Sequence, residues 1–144
     1  MHEVKINSKK MAIRVTDEQD RELGIISFYP NDFEFPVRAE KGQEELTQLI
    51  KDAREQAEGQ DQREFFQAMH ELDAKAKQIL NDIFNEDISK LFGNTNMFTP
   101  ISDGKLLVEN ILDGIIPVIT EEVNRCAEQS KSRTNKYLEG YEGK

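Results

Sequence analysis

The sequence has one cysteine, two histidines and no tryptophan among its 144 residues. A single cysteine, Cys126, can close no intrachain disulfide, so the fold must hold itself together by packing, and a reducing compartment is its simplest setting. Scarce His and Cys also remove the common zinc patterns, because neither an HExxH pair nor a cysteine-rich ligand set can be written from them. No metal and no cofactor is expected. Long apolar runs are missing too: nothing approaches the roughly 18 to 20 residues of a membrane span. Residues 1–14 alternate polar and apolar side chains instead of following a basic end with an apolar block, so no secretory signal is read there. The expected setting is the cytoplasm, with no membrane partner. Bases are outnumbered by acids, 19 to 28, for a formal net charge of −9. Nucleic acid is therefore not expected as a partner, since phosphate binding draws on clustered Lys and Arg.

What the chain does have is length enough for one packed domain and a clear division of patterns along it. Val4-Lys5-Ile6 and Met11-Ala12-Ile13-Arg14-Val15 alternate with the period of a strand around a polar turn, Asn7-Ser8-Lys9-Lys10. Leu23-Gly24-Ile25-Ile26-Ser27-Phe28-Tyr29 reads as a third strand, which would complete a small meander, because two strands alone are marginal. Pro30-Asn31-Asp32 then has the chemistry of a turn and a helix start.

Three helices follow in the pattern. Val37, Leu46, Leu49, Ile50 and Ala53 recur at helical spacing over about 36–57, and Glu58-Gly59-Gln60 supplies a stop. Over about 61–85, Phe65, Met69, Leu72, Ala76, Ile79 and Ile83 alternate by four and three residues, a coiled-coil-like seam suited either to a core or to an oligomer. A further turn ends at Gly93, and residues 93–100 read as a loop. Ser102 or Asp103 is placed to cap the last helix, whose stripe runs from Val108 through Ile111, Ile115, Ile119 and Val123 to Cys126. Pro117 within it predicts a kink near Asp113-Gly114. The expected class is α+β, mainly α, in a single domain: a three-stranded β-rich cap over 1–30, antiparallel helices over 31–129 and a flexible polar tail over 130–144.

Residues that carry chemistry are few. His70 lies beside the seam at Met69, and Glu71, Asp73 and Glu64 are its only near acids, so it reads as a boundary residue. Glu44, Glu45, Asp52, Glu55, Glu121 and Glu122 invite comparison with all-α nucleotide pyrophosphohydrolases, but such sites also need a basic cluster for the phosphates, and these acids read as solvated helix faces. Phosphate-binding glycine loops and nucleophile elbows are absent. No catalytic residue is assigned and no enzymatic activity is expected. The aromatic residues offer more. Phe28, Tyr29, Phe33 and Phe35 crowd a proline turn, while Leu91, Phe92 and Phe98 flank Gly93, and such clusters supply either a small core or anchors for a protein partner. Charge is uneven as well: residues 1–15 carry four bases against Glu3, whereas 16–64 carry fourteen acids against six bases. Opposed charge of this kind can guide self-association.

The order of these features resembles the tail assembly chaperones of long-tailed bacteriophages and prophages of Gram-positive bacteria. The likeness rests on Phe28-Tyr29-Pro30-Asn31-Asp32 followed by Phe33 and Phe35, and on Ile88-Ser89-Lys90-Leu91-Phe92-Gly93 ahead of the last helix. It departs at Val108 and Glu109, where members of that family often keep a cysteine or polar residue. The resemblance implies a non-enzymatic chaperone of the bacterial host cytoplasm that binds the tape-measure protein or other tail proteins and self-associates. A different helical interaction module, such as a dimeric prophage or host regulator, is the alternative.

Overall fold

The computed structural model describes the backbone of residues 1–7, 9–58 and 61–142, with side chains as far as residue 131. Ser8 of the expected first turn, Gly59-Gln60 of the expected stop and Gly143-Lys144 lie outside the described residues. The chain is α+β and mainly α. It opens with two antiparallel strands, β1 (Met11–Thr16) and β2 (Glu22–Phe28). Two helices of equal length follow, α1 (Glu34–Gln56) and α2 (Gln62–Phe84). A 3-10 helix, Ile88–Phe92, leads to a second hairpin of β3 (Pro100–Ser102) and β4 (Lys105–Leu106). The long α3 (Leu107–Glu142) closes the sequence.

The β1–β2 hairpin shows why period two specifies a half-buried sheet. Ile13 faces Ile26 and Met11 faces Phe28 across the ladder, so one face gathers apolar side chains while Ala12, Arg14 and Ile25 look outward. The Asp17 carboxylate organises the connection by accepting from the amides of Gln19 and Arg21. The expected first strand is not there, while the one expected over residues 23–29 is β2. Residues 1–7 carry no regular structure, Val4 and Ile6 are exposed, and the sheet is two-stranded. A three-residue alternation buries too little to fix a strand when no core face is presented to it.

Both helices of the central pair begin at aspartates. Asp32 accepts from the amide of Glu34 ahead of α1, and Asp61 caps α2 by accepting from Glu64. Pro36 is harmless in the first turn of α1, where its missing donor has no helical acceptor. The α2 end is set by Asn85 in the left-handed conformation at φ 53°, its amide bonded to Asn81 O. The seam is core. Met69, Leu72, Ala76 and Ile83 are buried, Phe65 and Ile79 are half-buried against the same cluster, and Leu46, Ile50 and Ala53 meet them from α1.

The two helices approach closely at Gly42. A Cβ there would lie 2.5 Å from Ile83 Cγ1 and Cδ1 and 3.4 Å from Ile79 Cγ2. Gly42→Ala gains about 1 kcal/mol of helix propensity. It also crowds the buried Ile83, at about 1 to 3 kcal/mol. A net loss of about 1 kcal/mol is expected in urea denaturation, and a gain would show that the helices part freely here.

The last helix starts later than the sequence suggests. Asp103 and Gly104, with φ 47° and 77°, form the two-residue turn of the β3–β4 hairpin, so Asp103 bends a strand pair instead of capping a helix. At the true start, Glu109 reaches back to accept from the Leu106 amide at 3.0 Å. Val108, Ile111, Ile115 and Ile119 are buried in the common core. The helix runs through Pro117, which leaves Asp113 O without its usual donor. It continues as helix through Glu142, where a flexible polar tail from 130 was expected, because residues 118–139 contain neither glycine nor proline to end it. Among the described residues no helix is long and apolar enough to cross a membrane.

Candidate protein-binding surface

The aromatic residues around the proline turn divide into two sets. Phe28 and Phe35 stack with ring centroids 5.0 Å apart, and Phe84 closes the cluster at 6.5 Å from the first and 5.9 Å from the second. Both are at most 2% exposed, and Phe98 is buried as well. These three are therefore core residues and cannot anchor a partner. Leu91 and Phe92 are half-buried against the same core, with Leu91 lying over Gly24 of β2.

Tyr29 and Phe33 remain outside. Tyr29 stands at the surface with the Lys10 ammonium 5.9 Å from its ring, and Phe33 is 74% exposed. One turn further along α1, Val37 is 62% exposed. Its spacing with Leu46 and Ile50 suggested a core position, but nine residues at about 100° each put it about 180° around the helix from Leu46. Phe33 and Val37 thus sit as neighbours on the side of α1 that faces away from the core. Angular bookkeeping along α1 would have found Val37; simple spacing did not.

The grooves among the described residues include two of similar size. One, of about 600 Å³, runs along the outside of the helix pair past Leu49, Ala74 and Ile79, with Glu45, Gln48, Lys75 and Gln78 at its sides. The other, of about 580 Å³, lies between β1 and α3. Nothing in the sequence pattern marked either, since each is formed by residues from separate elements.

The polar side chains are largely occupied in holding the fold. Asp73 accepts from the Met97 amide at 2.8 Å and from Lys77 at 2.8 Å, so it is a tie between α2 and the loop before β3 and not a partner for His70, which is exposed. Asn96 adds a bond to Met69 O. Glu109 pairs with Arg54 at 2.6 Å, joining α3 to α1, and Asp113 pairs with Lys105 at 2.6 Å. That hydrogen bond raises the Lys105 ammonium above its ordinary pKa. The Ser89 hydroxyl, donating to Asp87, holds that carboxyl below the usual carboxylate value, with Lys90 adding to the effect. Glu121 and Glu122 both turn to Arg125. Among the described residues no three of His, Cys, Asp and Glu stand close enough to hold a metal ion.

Fold and surface together define the class: a small, mainly helical α+β protein that carries aromatic and aliphatic side chains on the outside of its first helix. No family model, no curated protein and no solved structure matches the chain.

Proposed function

We propose that this protein is a non-enzymatic assembly chaperone of a phage tail, binding the tape-measure protein or another tail protein and keeping it soluble until the tail forms. The observation that carries the reading is the exposed Phe33–Val37 pair. Two large apolar side chains one turn apart, mostly exposed and turned away from the core, suit the apolar stripe of a partner helix. The net charge of −9 supports the same job, because an acidic exterior keeps a complex with an apolar partner dispersed. The sequence resemblance supplies the identity of the partner.

Co-expression with the tape-measure protein of the same genome tests the proposal. The wild-type chain is expected to co-purify with it, and Phe33→Ala combined with Val37→Ala to weaken capture by about tenfold or more. Because both positions are exposed, stability should stay within about 0.5 kcal/mol of wild type. A chain that never captures the tape-measure protein would remove the reading. Magnesium-dependent cleavage of nucleoside triphosphates by the purified protein would replace it with an enzyme.

A further inference from the structure

The N-terminal segment is the least explained part of the molecule. Val4 and Ile6 are 82% and 81% exposed, on a stretch that alternates like a strand yet pairs with nothing among the described residues. The chain turns as it leaves β1: Lys9 adopts φ 51° and its amide donates to the Asn7 side chain. The described residues of the segment do not join the edge of its own sheet.

That edge is open. β1 pairs with β2 on one side only, so its other row of amides and carbonyls faces no described strand. Beside the edge lies the groove of about 580 Å³, lined by Ile13 and Val15 from β1, Phe92 and Ile101, and Ile111 and Ile115 from α3. Ile13 and Val15 are half-buried. Asp17, paired with Arg21, and Glu18 are among the residues that line the groove. The segment has the complementary charge, with Lys5, Lys9 and Lys10 against Glu3. Its length also fits: five extended residues span about 17 Å and the six of β1 about 20 Å.

We propose that residues 3–7 of one copy add as a strand to the open edge of β1 in a second copy, seating Val4 and Ile6 in the groove between β1 and α3. Alternate residues of an added strand share a face, so both apolar side chains enter the groove together while Lys5, on the opposite face, stays at the surface. Donor and acceptor are different surfaces, which makes the contact head-to-tail: each copy offers a segment forward and a groove behind, and copies join in a row instead of closing as a two-fold dimer. This goes beyond the binding of a tape-measure chain and is tested without one, so either can fail alone.

Light scattering after size exclusion is the first measurement. The wild-type mass is expected to climb above 16.6 kDa with concentration, and Val4→Asp with Ile6→Asp, at two exposed positions that leave the fold intact, to abolish the rise. A wild type that stays monomeric, or a variant that associates like wild type, overturns the proposal. The second measurement fixes the route. In a Cys126→Ser background, unlabelled Ile6→Cys chains are mixed with isotope-labelled Ile101→Cys chains and treated with a short bis-maleimide. Mixed labelled–unlabelled adducts are expected. Their absence, with cross-links forming only inside a chain that carries both cysteines, would place the segment in its own groove and overturn the exchange between copies.

Discussion

Phe35→Ala is expected to destabilise the protein by about 3 to 5 kcal/mol, read as a shift of the urea midpoint at unchanged slope. The ring is 1% exposed and packs against those of both Phe28 and Phe84, with the Arg38 guanidinium 5.7 Å away. Its removal loses the transfer energy of a whole aromatic side chain and leaves a cavity bounded by β2, α1 and α2, three elements that cannot all collapse inward at once. For a domain with a stability of about 5 to 15 kcal/mol, that is about a fifth or more of the total. Phe33→Ala, two residues away, is expected to change stability by less than about 0.5 kcal/mol. A loss below about 1 kcal/mol at Phe35 would mean that the ring cluster is not the centre of the core.

The second large effect is expected at Asp73. Met97 is fully buried, and its amide donates to the Asp73 carboxylate at 2.8 Å, in a segment that returns through Val108 N to Met97 O, also 2.8 Å, to the start of α3. Asp73→Ala leaves that amide without an acceptor or access to water and leaves Lys77 without its counter-ion, at a cost of about 2 to 3 kcal/mol. Asp73→Asn keeps an oxygen in place and should recover roughly half of the loss. Hydrogen exchange supplies the local readout, with the Met97 and Val108 amides expected to exchange faster in Asp73→Ala than amides near Leu46. Equal stability of the Ala and wild-type proteins would show that water reaches Met97 after all.

The helices were legible because the pattern of Phe65, Met69, Leu72, Ala76, Ile79 and Ile83 repeats over several turns, and the structure adds the caps Asp61 and Asn85 at its ends. The short elements were not. Val4-Lys5-Ile6 has the alternation of a strand but lacks the burial that would hold it as one, and burial is a property of the assembled molecule. Asp103-Gly104 carried a legible signal, the dipeptide of a tight hairpin, which competed with a helix-start reading of the same aspartate. The aromatic cluster divided where sequence cannot divide it. Phe33 and Phe35 differ by two positions, which on a helix is about 200°, enough to send one ring into the core and the other to the surface.

The sharing of the Phe28–Phe35–Phe84 cluster by strand and helices has a further consequence, for whether the molecule can be divided. A two-stranded sheet is marginal on its own, and β1–β2 is stabilised by sinking Ile26 and Phe28 into a core made chiefly by the helices. The dependence runs the other way as well, since Phe35 and Phe84 are kept dry partly by Phe28. Residue 30 is therefore a change of pattern in the sequence but no seam in the folded protein. The strands are a plug in the helical body rather than a module attached to it, and neither piece has an inside of its own without the other.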